Sequence, residues 1–330
     1  MIICLHSNRL RLDSVDHTSY DEINLFVRVL NKAASGAATA IASDYASLDD
    51  TMKFIDKCTG IVVFATFDLR PEISDFIDAN SDVPVYLVIE DPNWPTSFKI
   101  NRDYTLLTPF SVFKTLSPAA IKVELETSLD VKLSTFSKHV FIPFGLMQFE
   151  TTRVIDNNDD EIKKFKSGLG RSHGLITSIY VGSLKNDRIE SFKSMIADGV
   201  NFYGSFNDND LLAATGLKDL GRSKTCGRLP VGLVSYAYQY YDIAAFAPDK
   251  RMTNLVSCYA RLGEMCLAKS NVKLYVGQDY YLEALKQLSD IADYLPSLGA
   301  YRISKEKLYA KFLPRSCASL VDYIKEIKLW

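Results

Sequence analysis

Short β-branched runs alternate with amphipathic stretches along the first part of the chain. Ile2–His6, Gly60–Ala65 (GIVVFA) and Pro84–Ile89 (PVYLVI) are predicted strands. Their apolar character is nearly continuous, so each is expected to be buried on both faces of a parallel sheet. Between the first two strands, Asp21–Ala34 places Ile23, Phe26, Val27 and Leu30 on one helical face. This β-α-β alternation predicts a doubly wound domain over residues 1–150.

The pattern stops between Val140 and Gly170. An irregular FIPFGLMQFE gives way to Asp156, Asp159, Asp160 and Glu161, then to basic residues with Gly168 and Gly170. Such breaker signals mark a linker, expected over 151–174. The alternation then restarts, with strands predicted at Leu175–Val181, Val200–Tyr203, Ile243–Ala247 and Val272–Val276. Helices are expected to begin near Arg188, Pro230, Met252 and Tyr280. Helical patterns close the chain at Lys305–Leu313 and Cys317–Ile327, divided by Pro314. The expected class is α/β, with a second Rossmann-like domain over 175–330, and each domain offers a ligand site at the carboxyl ends of its strands.

Composition supports two ordinary globular cores. The 330 residues are 47% hydrophobic and 24% charged, and they exceed the size at which one core keeps growing. No apolar run reaches the ~18 residues of a membrane span, and Met1–Ser7 is expected to be a strand instead of a signal peptide. The six cysteines include no C-x-x-C pair, so free thiols in a reducing cytoplasm are expected. The four histidines show no metal-ligand spacing, and no metal site is expected. Charge is uneven: residues 171–330 hold 21 Lys and Arg against 16 Asp and Glu, a net +5, leaving −7 for the first 170. The positive half suits a polyphosphate.

Candidate chemistry gathers at strand ends. Tyr180-Val181-Gly182-Ser183-Leu184-Lys185-Asn186-Asp187-Arg188 leads from a strand into a helix. Gly182 and Ser183 would let the backbone approach an anion, with Lys185 and Arg188 supplying charge. The same residues also read as an ordinary Gly-Ser turn. In Arg261-Leu262-Gly263-Glu264 the first and last share a helix face, so a guanidinium for phosphate would stand beside a carboxylate suited to a vicinal diol, or the two form only an i,i+3 ion pair. Cys226-Gly227-Arg228-Leu229-Pro230 joins a short strand to a helix and would offer backbone groups to a base.

In the first half, Asp91 follows the strand Pro84–Ile89 within Glu90-Asp91-Pro92-Asn93-Trp94-Pro95. It is placed as a general base, or as a turn residue before proline. Asp21 is either an acid near the site or a helix cap. Arg9 and Arg11, in the loop after the first strand, could touch an acceptor phosphate or face solvent.

Taken in order, these patches resemble the T-even bacteriophage DNA β-glucosyltransferases. The resemblance is densest from Ile179 to Val276, through Gly182-Ser183, Glu190-Ser191, Asn201-Phe202-Tyr203-Gly204, Gly227-Arg228-Leu229-Pro230, Asp249-Lys250 and Arg261-x-x-Glu264. It is weaker over 1–110, where the Asp21/Leu25/Phe26 helix and VYLVIED match.

The resemblance implies a GT-B fold, two Rossmann-like domains facing a central cleft. It also implies a UDP-sugar donor, duplex DNA carrying a hydroxymethylated pyrimidine as acceptor, and inverting transfer to a flipped-out base. Asp91 would take the catalytic base position, and Asp21 that of an acid near sugar and acceptor. Lys185 stands for a diphosphate arginine, and Arg188 for a second one if the loop shifts by a residue. Arg261 and Glu264 match phosphate and ribose ligands, Leu229 the backbone that meets uracil, and Asp249 the loop near the sugar. Trp94, Phe98 or Tyr104 would stack on the acceptor or pack in the core. No cofactor is required, a divalent cation stays open, and a monomer in the cytoplasm of an infected bacterium is expected. A same-fold glycosyltransferase or nucleotide-sugar epimerase acting on a small molecule or glycan is the alternative, and a catalytically dead binding protein is a second.

Overall fold

A computed structural model describes residues 1–6, 18–34, 40–44, 55–64, 71–89, 100–128, 132–151, 177–184, 186–204, 209–217, 229 and 234–329. The chain divides into two compact units. The first comprises Met1–Glu150, Arg251–Ala260 and Tyr309–Trp330, and the second Thr151–Lys250 and Arg261–Leu308.

In the first unit β1 (Ile2–His6) lies between β2 (Ala40–Asp44) and β3 (Gly60–Phe64), in register with both. The sheet continues through β4 (Val85–Val88), β5 (Thr105–Thr108) and β6 (Lys138–Phe141) in the order β2-β1-β3-β4-β5-β6, every pair parallel. Every residue of β3 is buried, as are Ile2–Leu5 of β1, which is the double covering that their unbroken apolar runs predicted. Helix α1 (Thr18–Ala34) begins three residues before the expected start, so Asp21 falls within the first turn and not at the cap. Its buried face is Phe26, Val29, Leu30 and Ala33, and Val27 is only half-buried. Helices α2 (Pro71–Ala79), α3 (Pro118–Ser128) and the short α4 (Met147–Thr151) complete the Rossmann-like part.

The second sheet has the order β11-β12-β10-β9-β7-β8. Its parallel core is β7 (Ser178–Val181), β8 (Asn201–Tyr203), β9 (Ile243–Phe246) and β10 (Asn271–Leu274). An antiparallel hairpin, β11 (Ala292–Leu295) and β12 (Ala300–Ile303), adds to the β10 edge. Helices α5 (Ile189–Ala197), α6 (Asn209–Thr215) and α7 (Val234–Tyr240) precede β9. After it come α8 (Lys250–Asn254), α9 (Ala260–Leu267), α10 (Tyr281–Ser289), α11 (Lys305–Phe312) and α12 (Leu320–Ile327). The core joins Tyr180, Phe192, Met195 and Phe202, with Phe192 stacked on Phe202 at 5.5 Å between centroids. Two doubly wound sheets in one chain, the first wholly parallel and the second parallel apart from its edge hairpin, realise the expected α/β class.

Two stretches expected within a second domain of 175–330 belong to the first unit. Helix α12 buries Leu320, Tyr323 and Ile324 and packs on α1, and the Tyr323 hydroxyl donates to the Phe141 carbonyl at 2.7 Å. Residues 256–259 are laid against 108–111 and 145 by backbone bonds: Ser111 N–H to Val256 O at 3.2 Å and Gly145 N–H to Cys258 O at 3.1 Å. Gly145 is required there, because a Cβ would meet the Tyr259 carbonyl and stand 2.8 Å from the Cys258 sulfur. The described cysteines (Cys4, Cys58, Cys258, Cys266 and Cys317) are free thiols.

Candidate functional site

In the second sheet the strand order reverses between β7 and β9, the place where open α/β sheets bind ligands at their carboxyl ends. Three segments leave the sheet there: 182–188 after β7, 247–250 after β9 and 277–280 after β10.

The first of these is built around a phenol. The Tyr180 hydroxyl donates to the Ser183 carbonyl at 3.3 Å and accepts from an Arg188 Nη at 3.2 Å. A Cβ on Gly182 would lie 2.6 Å from that hydroxyl oxygen, so glycine is needed here for space and not for an unusual φ. The Gly182 N–H is already spent on the Tyr203 carbonyl at 2.9 Å, continuing the β7–β8 ladder. Ser183 is exposed. A 3-10 turn, Asn186–Arg188, leads into α5, whose N-cap residue Arg188 makes no side-chain cap bond. The N-cap residue therefore supplies no side-chain acceptor to the first turn of α5.

Arg188 turns inward to the Tyr180 phenol. Burial disfavours its charge, but Tyr180, Asp187 and Asp249 outweigh that and hold its pKa above the ordinary guanidinium value. Among the described residues its buried Nε has no hydrogen-bond partner. Asp249, just beyond β9, is fully buried and supplies one of these counter-charges, as a buried carboxylate must. The third segment adds Tyr280. Burial raises its phenol pKa, and the neighbouring charges of Asp187, Arg188 and Asp249 place it with the same group.

Helix α9 contributes the second constellation. An Arg261 Nη lies 2.6 Å from Glu264 Oε2, with the arginine side chain 26% exposed and the carboxylate 10%. The i,i+3 spacing brings the two together as expected, and the carboxylate is more enclosed than a surface pair would be. Gly263, between them, is buried in the helix interior. Glu190, by contrast, pairs with Lys193 at 2.9 Å in the open, where such contacts contribute little.

No protein-family profile matches the chain and no curated protein does. Among solved structures it is similar to E. coli heptosyltransferase WaaC with ADP-2-deoxy-2-fluoro heptose, at 8% identity over 87% of this chain and 98% of that one, with a TM-score of 0.26. The same heptosyltransferase with ADP matches at 8% identity over 83% and 86%, with a TM-score of 0.25. Likenesses of this size carry no argument about the chain's activity.

The structure thus brings Gly182, Ser183, Arg188 and Asp249 to one end of the second sheet, and pairs Arg261 with Glu264 in the same unit. Leu229 is buried, while Gly227 and Arg228 beside it lie outside the described residues. So do Lys185, Asp91, Arg9, Arg11, Trp94 and Phe98, and the side chain of Asp21. Tyr104 is core: it is 2% exposed, donates to Ser134 O at 3.1 Å and packs near Phe136. Among the described residues no cluster of His, Cys, Asp and Glu is arranged to hold a metal, and no helix is long and apolar enough to cross a membrane.

Sequence reasoning quoted Tyr180 in its motif without giving the phenol a role, and it did not single out Tyr280.

Proposed function

We propose that this chain is a glycosyltransferase of the GT-B kind that binds a UDP-sugar on its second unit and transfers the sugar to a hydroxymethylated pyrimidine, 5-hydroxymethylcytosine foremost, in duplex DNA. The observation that carries the reading is the enclosed Arg261–Glu264 pair, in the same unit as a glycine-dependent turn at the strand-order reversal. A cation and a diol acceptor in the same unit as a helix N-terminus whose N-cap residue makes no side-chain cap bond suit a nucleoside diphosphate. The heptosyltransferase of the structural comparison is described with ADP and an ADP-sugar analogue, which is compatible with this donor class but adds no weight.

In this reading Arg261, Lys185 and the α5 N-terminus stabilise the departing diphosphate, with Arg188 fixing the turn from within. Glu264 accepts the ribose hydroxyls. Leu229, with Gly227 and Arg228, borders the base. Asp91 removes the acceptor hydroxyl proton as that oxygen attacks the anomeric carbon, and Asp21 stands near the sugar. Cationic side chains carry the leaving-group charge without a metal, and a divalent ion assisting them is compatible with the same scheme. The acceptor base is extruded from the duplex so that its hydroxymethyl oxygen can reach Asp91, with Arg9 and Arg11 on the phosphates.

The test is mass spectrometry of nucleosides from hydroxymethylcytosine DNA incubated with the protein and a panel of UDP-sugars. A sugar mass on the modified base is expected, falling ~10²–10⁴-fold with Asp91→Asn while UDP affinity holds. Transfer only to soluble acceptors would move the assignment to a small-molecule or glycan enzyme.

A further inference from the structure

The Tyr180 hydroxyl joins the start of the segment 183–188 to its end. It accepts from an Arg188 Nη at 3.2 Å and donates to the Ser183 carbonyl at 3.3 Å. A guanidinium can only donate and a carbonyl can only accept, so the direction of this chain of bonds is fixed. The bond from a cation polarises the hydroxyl and strengthens its own donation. The ring is held as well, packed edge-on to Phe192 at 5.0 Å and tilted against Phe202 at 6.1 Å in the core of the second unit.

One peptide group is oriented as a result. In a trans peptide the N–H points opposite to the carbonyl, so a Ser183 carbonyl drawn to the phenol turns the Leu184 N–H away from it. Among the described residues no group accepts from that N–H. The Leu184 side chain is buried and Ser183 beside it is exposed, which leaves a backbone donor and a hydroxyl together at the carboxyl end of β7. Outward backbone N–H groups in such a turn suit a phosphate oxygen. Without the Tyr180 hydroxyl, water competes for the Ser183 carbonyl and nothing holds the peptide in this orientation. Arg188 would lose its acceptor too, with its Nε already unpartnered among the described residues.

We propose that Tyr180 is a positioning residue: its hydroxyl holds the Ser183–Leu184 peptide so that the Leu184 N–H, with the Ser183 hydroxyl beside it, donates to the diphosphate of the nucleotide. This rests on the nucleotide-binding reading above and adds the group that orients the turn toward its ligand. The phenol itself stays in the core and does not touch the nucleotide.

The experiment pairs calorimetric titration with UDP and with uridine against the Leu184 amide signal of the full chain, labelled with isotopic leucine and assigned through Leu184→Ile. In the unaltered protein UDP, and not uridine, should shift the Leu184 amide proton downfield, as a hydrogen bond to an anionic oxygen does. Tyr180→Phe should abolish that shift and weaken UDP by about 10- to 100-fold, the loss of a charge-assisted hydrogen bond, while uridine binds as before. A Leu184 signal that saturating UDP leaves in place in the unaltered protein overturns the inference, whether or not the variant folds. Tyr180→Phe binding UDP as tightly as the unaltered chain overturns it too. So does an equal loss of UDP and uridine in that variant, the result for a phenol that serves only the fold. If the unaltered protein binds no UDP, or binds it no more tightly than uridine, the nucleotide reading itself fails and the inference with it.

Discussion

At the residue scale, the turn after β7 depends on one missing atom. A Cβ at Gly182 would stand 2.6 Å from the Tyr180 hydroxyl, and that ring cannot swing aside because it packs on Phe192 and Phe202 at centroid distances of 5.0 and 6.1 Å. Gly182→Ala is therefore expected to lose ~1–3 kcal/mol in urea unfolding, typical of overpacking. Tyr180→Phe in the same chain should recover part of the loss by removing the clashing oxygen. A second prediction concerns His139, whose Nε2 lies 3.0 Å from the buried Thr108 hydroxyl. Burial lowers its pKa from 6.5 to about 4, so the unfolded chain binds a proton that the folded chain refuses between those values. Stability should fall as pH drops from 6.5 toward 4, with a slope approaching one proton. In His139→Gln that part of the slope, read from unfolding midpoints against pH, should vanish.

At the element scale, legibility followed the strength of the apolar pattern. Strands β1, β3 and β9 are unbroken apolar runs and were located to within a residue at each end. β2, β5 and β6 are short and carry polar residues (Ser43, Asp44, Thr105, Thr108, Lys138, His139), so periodicity alone did not mark them. The β11–β12 hairpin was hidden for a similar reason: Asp293, Tyr294 and Arg302 are exposed, and the bend depends on Gly299 at φ 57°. The Arg261–Glu264 pair was legible because helical spacing alone determines it, whereas the orientation of Arg188 toward Tyr180 depends on tertiary packing. Helix α12 was found as an element but not its destination. Ile324, fully buried where α12 packs in the first unit, should cost ~2–5 kcal/mol on replacement by alanine. Hydrogen exchange should then quicken in α1, with the sheet of the second unit unaffected. Faster exchange in the second sheet instead would contradict this assignment.

At the scale of the whole molecule, the chain builds the same four-strand parallel order twice, β2-β1-β3-β4 and β8-β7-β9-β10, and finishes the first unit with residues that follow the second. Its charge is divided unequally, with the net positive half carrying the proposed diphosphate ligands. The account stands on nucleotide binding at the carboxyl ends of the second sheet. Calorimetric titration with UDP of the unaltered protein and of Arg261→Ala tests it most directly. One UDP per chain is expected, weakened by about 10- to 100-fold in the variant through loss of a charge-assisted contact. Binding of equal strength in both proteins, or none in either, would contradict the assignment of this site.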